Sequence, residues 1–224
     1  MIGIILFAED YEISITFIEL LRRYAKLKKR KETEDWYEFG GEKIELCSVL
    51  AGGYRNLIKR LKDFLENKVF ERIIFNWIKN KEFEKVFIII LYDKDKEQEI
   101  SSELSVWKEK FKRTFRDVKE KIEIKHKGVG VNFKNFTSEI ESYFLRREYE
   151  KKEISEEELK NYKKLLPTNK ISLVFYLKQI LKFKEKPSMK VYLERVLNDE
   201  EFCKYLEEEL LISWLMAEIM VAII

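Results

Sequence analysis

The segment Val86-Phe87-Ile88-Ile89-Ile90-Leu91-Tyr92-Asp93-Lys94-Asp95 constrains this chain more than any other stretch. An unbroken apolar run from Val86 to Leu91 stops abruptly at two aspartates spaced i, i+2. Such a β-branched and aromatic run reads as a strand buried on both faces of a parallel sheet. Open α/β sheets bind ligands at the carboxyl ends of such strands. Two carboxylates there are well placed to hold a hard divalent cation such as Mg²⁺.

The rest of the chain sets this strand in an alternating pattern. Ile2 to Ala8 reads as a first strand, followed by helical spacing at Ile13, Phe17, Ile18, Leu21 and Tyr24. Trp36 to Phe39 and Glu42 to Leu46 suggest a hairpin about Gly40-Gly41. Lys43 to Val49 reads as a strand that enters the glycine turn Leu50-Ala51-Gly52-Gly53-Tyr54. A helix face follows at Leu57, Ile58, Leu61, Phe64 and Leu65, with more helix expected from Val69 to Lys79. After the Val86 strand a helix is expected from Ser101-Ser102-Glu103, through Leu104, Trp107, Phe111 and Phe115. Lys121 to Lys127 alternates as a half-buried strand. The order β-α-β-α-β-α-β predicts a mainly parallel α/β sheet flanked by helices over residues 1–137. From Ser138 to the end the period is helical: Ser138 to Tyr149, Ser155 to Leu165, Asn169 to Phe183, Ser188 to Leu197 and Asp199 to Val221. Residues 138–224 are therefore expected to form an all-helical extension packed on the sheet.

Composition narrows the functional classes. Charged residues reach 38%, dominated by Lys and Glu, with Gln only at positions 98 and 179, a balance resembling proteins from hot environments. The net charge of +3 permits a nucleic-acid partner without demanding one. Two local basic groups, Lys26 to Lys31 and Lys108, Lys110, Lys112, Arg113 and Arg116, can neutralise phosphates. They also fit the commoner reading of solvated helix faces. Cys47 and Cys203 form neither a disulfide framework nor a zinc motif, and Cys47 reads as a small buried hydrophobe. No apolar run spans a bilayer, and Met1 leads directly into the first strand. The expectation is a cytoplasmic protein with no membrane partner. The apolar tail from Leu210 to Ile224, interrupted by Ser213 and Glu218, reads as a buried helix or a homo-oligomer contact.

Most catalytic sets are excluded by counting. A Ser-His-Asp set would have to use the single histidine, His126, which has no nucleophile motif beside it. There is no phosphate-binding P-loop and no dinucleotide fingerprint. What remains is a carboxylate site. Glu9 closes the first strand, and Asp93 and Asp95 close the Val86 strand. In neighbouring parallel strands, about 4.8 Å apart, these three acids would meet at one edge. Clustered carboxylates repel unless a cation sits among them, and such a cation can clamp phosphate oxygens. The alternative is that Glu9 and Asp93 only cap the helices that follow.

These residues resemble the Toprim domain of topoisomerases, bacterial primases and OLD-family nucleases. That family carries a Glu ending its first strand, matched by Glu9, and an Asp-x-Asp after a later apolar strand, matched by Asp93 and Asp95. The likeness is nearest to a loose group of small Toprim-like proteins. The turn Leu50-Ala51-Gly52-Gly53-Tyr54-Arg55-Asn56-Leu57 and the segment Glu139-Ile140-Glu141-Ser142-Tyr143-Phe144-Leu145 are similar to theirs, so the match runs over roughly residues 1–145. Asp10 and Gln98 stand where the Toprim pattern usually has glycines. The resemblance implies Mg²⁺- or Mn²⁺-dependent phosphodiester chemistry on DNA or RNA, by a nuclease or nuclease subunit. It makes Glu9, Asp93 and Asp95 catalytic and metal-binding, with Glu141 completing the shell and Glu97 a weaker candidate. Arg55, Lys94 and Lys96 would steady phosphates. The same resemblance allows a non-catalytic nucleotide- or protein-binding module, or a subunit gated by an ATPase partner.

Overall fold

Among the described residues six strands build one sheet in the order β2-β3-β4-β1-β5-β6. The computed structural model describes residues 1–33, 36–66, 83–116, 119–129, 155, 157, 197–198 and 200–223. The strands are β1 (Ile2–Ala8), β2 (Lys28–Glu32), β3 (Trp36–Gly40), β4 (Ile44–Leu50), β5 (Lys85–Asp93) and β6 (Ile122–Val129). The described helices are α1 (Tyr11–Arg22), α2 (Tyr54–Leu65), α3 (Glu97–Thr114), α4 (Glu200–Glu209) and α5 (Ile212–Ile223). β1 pairs in parallel with β4 and β5, and β5 with β6, while β3 and β2 extend the sheet in antiparallel fashion beyond β4. The expected mainly parallel α/β architecture is thus the observed one.

The apolar run behaves as its composition dictates. Val86 through Tyr92 are all buried, with β1 on one side and β6 on the other. Alternate residues serve two separate cores. Val86, Ile88, Ile90 and Tyr92 join Ile5, Phe7, Leu57, Leu61, Phe64, Leu104, Trp107 and Phe111 beneath α2 and α3. Phe87 faces the other way and meets Trp214 of α5 edge-on at 5.6 Å. The first core is anchored by the indole of Trp107, which donates to the Leu61 carbonyl at 2.6 Å and so ties α3 to α2. On the second face, the hydroxyls of Ser14 and Ser48 share a buried hydrogen bond of 2.6 Å that fixes α1 against β4.

Several expectations are corrected. The basic segment Lys26 to Lys31 is not a helix face; most of it forms β2, an edge strand exposed along its whole length. Hydrophobic periodicity cannot detect a strand that buries nothing. Its lysines also suit an edge, because charge discourages pairing with another chain. A register shift between Lys29 and Lys31 lets Arg30 reach Glu45 of β4 at 2.8 Å. The Arg30 guanidinium lies directly over Gly40, so a side chain there would displace it. The hairpin about Gly40-Gly41 forms as expected, with Gly40 opposite Glu45. α3 begins at Glu97, not at Ser101: the chain leaves β5, makes a 3-10 turn at Lys94–Lys96 and enters the helix at once. The hydroxyls of Ser101 and Ser102 instead donate back to the carbonyls of Glu97 and Glu99.

The chain divides into two compact units, Met1–Gly130 with Leu197–Ile224, and Val131–Val196. The last helices therefore belong to the same unit as the sheet, whereas the sequence placed them with an extension starting at 138. The helix expected over Asp199 to Val221 is two helices, with Leu211 between them in the left-handed region at φ 61°. That break lets Leu206, Leu210, Ile212 and Leu215 all be buried. Of the two polar interruptions in the tail, Ser213 faces solvent, while Glu218 pairs with Lys85 at 3.0 Å. Lys85 also binds Glu123 at 2.8 Å, which holds its ammonium above the ordinary lysine range. Among the described residues no helix is long and apolar enough to cross a membrane. The helices expected over Val69 to Lys79, Ser138 to Tyr149, Ser155 to Leu165, Asn169 to Phe183 and Ser188 to Leu197 lie outside the described residues, in whole or nearly so.

Candidate functional site

β1 is the point where the strand order reverses. From β1 the chain goes to the edge strand β2 and returns inward through β3 and β4 on one side, then crosses to β5 on the other. Such a switch point opens a crevice beyond the carboxyl ends of the strands. The residues just there are Glu9, which follows the last residue of β1, and Asp93, which ends β5 two residues beyond Leu91, the partner of Ala8. Glu9 is 1% exposed and Asp93 6% exposed, which is rare for carboxylates.

Glu9 is fixed from three directions. Its amide donates to the Leu91 carbonyl at 3.0 Å, and its carbonyl accepts from Gly53 N–H at 2.7 Å. Its side-chain Oε2 accepts from the Asp93 backbone N–H at 2.9 Å. The Gly53 contact requires the chain to double back after β4. Gly52 at φ 72° and Gly53 at φ 117° make that turn in conformations that side chains disfavour. The glycine turn foreseen in the sequence thus brings the N-terminus of α2 over Glu9. Among the described residues no side chain caps α2, and no acid lies in its first turn.

Of the three acids expected to converge, Glu9 and Asp93 are linked, through the Asp93 backbone N–H rather than carboxylate to carboxylate. Asp95 lies in the 3-10 turn, not on an extended strand, so the i, i+2 spacing does not place it on a strand face with Asp93. Its side chain is 69% exposed and sits 3.4 Å from Lys96 Nζ. Lys96 is held above its ordinary range first by that hydrogen bond to Asp95, then by the charges of Asp95, Glu99 and Glu9. Arg55 in the first turn of α2, Lys94 and Glu97 are exposed. Glu141 lies outside the described residues. Among the described residues no group of three or more acids, histidines or cysteines is arranged to hold a metal. Glu9 and Asp93 remain as two buried acids at the ends of adjacent strands. That number suits Mg²⁺, which commonly takes one or two carboxylates and keeps several waters.

Asp10, where a Toprim pattern usually has glycine, is a helix cap. Its Oδ1 accepts from Ile13 N–H at 2.9 Å and its backbone is extended. Asp10→Ala should cost about 1 kcal/mol of stability. Denaturant unfolding checks this, with Asp10→Ser expected to recover most of the loss.

Sequence reasoning missed a cluster beside Asp93. The Tyr92 hydroxyl lies 3.3 Å from His126 Nδ1, and the two rings stack with centroids 6.3 Å apart. Burial, with the nearby Glu97 charge, pushes the Tyr92 phenol up to about 12. Gly128 lets the 94–96 turn descend onto β6, since a Cβ there would sit 3.1 Å from Lys94 Cα and 3.2 Å from the Tyr92 ring. The only signal in the sequence was an unexplained Gly128 two residues after the one histidine. His126 is held below its ordinary value of 6.5, first by burial and then by the Lys108 charge. The unfolded chain therefore binds a proton here more readily than the folded one. The stability this group contributes is complete above 6.5 and is lost as pH falls below that value toward the folded pKa. Thermal stability should decline from pH 7 to pH 5, and His126→Gln should flatten the decline. A His126 proton resonance titrating at or above 6.5 would contradict this placement.

No family model and no curated protein matches this chain. Three solved structures show only a faint likeness. A conserved protein of unknown function, AF0625, is 10% identical with a TM-score of 0.26, covering 41% of this chain and 27% of that one. The Helicobacter pylori protein MTAN is 9% identical with a TM-score of 0.24, covering 41% and 35%. A futalosine hydrolase mutant of Helicobacter pylori strain 26695 is 10% identical with a TM-score of 0.24, covering 41% and 36%. The matched part spans about a third of those proteins, and the similarity says nothing about chemistry.

Proposed function

We propose that this protein is a Toprim-like nuclease or nuclease subunit, acting on nucleic-acid phosphodiesters with Mg²⁺ or Mn²⁺. The observation that carries the reading is the pair of buried carboxylates, Glu9 and Asp93, ending adjacent central strands with the Glu9 side chain bonded to the Asp93 backbone. Both would hold the cation, and what it supplies when bound is charge neutralisation at phosphate oxygens. Glu9 would also hand a proton to, or take one from, an oxygen of the phosphodiester. Lys94, Lys96 and Arg55 would grip phosphates at the rim. The uncapped N-terminus of α2 adds a positive dipole end. Asp95 is assigned a lesser part, as partner of Lys96.

A second reading is favoured by the exposure of Asp95: a binding module without turnover, or a subunit gated by an ATPase partner. Met220 and Val221 of α5, 63% and 75% exposed, would then offer a contact to a second copy. The test is incubation of single- and double-stranded DNA and RNA with Mn²⁺ or Mg²⁺, comparing the wild type with Asp93→Asn. Metal-dependent cutting lost in the variant supports the nuclease. Absence of cutting by a folded wild type moves the assignment to the second reading.

A further inference from the structure

We propose that the cleft between α3 and β6 is a second binding site, taking a small organic anion with an apolar or aromatic body. The cleft is open on one side, has a volume of about 580 Å³ and is lined by Lys108, Phe111, Lys112, Glu120, Ile122 and Ile124. That volume lies in the range of small-molecule sites. Its walls divide by chemistry. Phe111 is part of the core beneath α3, and Ile122 and Ile124 are only half-buried although apolar. The two isoleucines would take a flat or aliphatic body, over a floor to which the buried Phe111 contributes.

Lys108 and Lys112 stand i, i+4 on α3, so their ammonium groups share one side of the helix. Like charges at that spacing are unfavourable without an anion between them. Burial, together with the charges of Lys112 and Lys125, holds the Lys108 ammonium below the ordinary lysine range. An anion in the cleft would relieve that repulsion. The competing partner of Lys112 is Glu109, at 3.0 Å with both side chains largely in water, a pairing worth little. Glu120, the one acid in the lining, can accept from a hydroxyl or amino group on the same ligand. A merely solvated basic helix face would not leave two isoleucines half-open above a concavity.

The cleft is separate from the carboxylate pair. Ile122 is level with Val86, at the start of β5, whereas Asp93 is level with Val129. Along α3, Lys108 and Lys112 lie roughly 16–22 Å beyond Glu97. Between the two places stands the Tyr92–His126 pair, and Lys108 acts directly on the His126 charge.

Anilinonaphthalene sulfonate, a fluorescent anion with an aromatic body, is the probe. The full chain should enhance its emission saturably, and Lys108→Gln combined with Lys112→Gln should weaken binding about tenfold or more. Circular dichroism of the double variant should match the wild type and its Tm should not fall, since Lys108 is only half-buried at the cleft and Lys112 is exposed. Naphthalene sulfonate should displace the probe and neutral naphthol should not. Undiminished binding by the double variant, equal displacement by naphthol, or no saturable binding by the wild type would each overturn the proposal.

Discussion

Asp93→Asn is expected to reduce metal-dependent cleavage of nucleic acid on the order of 10²-fold or more, with the fold unchanged. The substitution removes a charge and keeps the shape. The backbone N–H that Asp93 donates to Glu9 is untouched. Glu9→Gln should lose activity comparably, because its amide oxygen can still accept that bond while the anion is gone. Asp95→Asn is the discriminating variant. The sequence ranked Asp95 equal to Asp93, but it is exposed and paired with Lys96, so its loss should cost no more than a few-fold, like other surface ion pairs. Mn²⁺ should raise the Tm of the wild type and of Asp95→Asn but not of Asp93→Asn, by the linkage that binding imposes on stability. Equal losses at 93 and 95 would restore the three-acid arrangement. Wild-type cutting by Asp93→Asn would remove the carboxylate pair from the chemistry.

Phe64→Ala should destabilise the sheet unit by about 3–5 kcal/mol. The ring is fully buried beneath α2. It stacks on Phe115 at 5.6 Å and Phe111 at 6.2 Å, and meets Phe7 of β1 edge-on at 5.7 Å. One side chain thus joins α2, the end of α3 and the central strand, and its removal opens a cavity bounded by rigid rings. Domains of this size are stable by roughly 5–15 kcal/mol, so the loss should be plain in the denaturation midpoint. Phe64→Leu should cost less because it fills most of the space. A cost below about 1 kcal/mol for alanine would mean that the cluster is not assembled as described.

Legibility followed the burial of each element. β5, β1, β4 and α2 announced themselves because their apolar residues are what the core takes up, and the glycine turn did so because Gly52 and Gly53 adopt conformations other residues avoid. β2 stayed hidden because its order rests on ladder hydrogen bonds to β3 and on Arg30 reaching Glu45, neither of which leaves a hydrophobic pattern. The start of α3 was misplaced because Ser101-Ser102 mimics a cap, while the true start is set by the end of β5. The C-terminal break was hidden because Leu211 is not a residue that advertises a left-handed conformation.

The sequence by itself determined that a fully buried strand ends in acids and that a mainly parallel α/β sheet surrounds it, because burial on two faces demands an unbroken apolar run. It also determined which glycines turn the chain toward the site. Only the tertiary structure decided that Glu9 and Asp93 become neighbours while Asp95 does not, and that Tyr92 meets His126. It alone revealed a cleft between α3 and β6. Strand order and the direction of a side chain after a strand ends depend on contacts distant in sequence, and the spacing of two aspartates cannot encode a turn that begins between them.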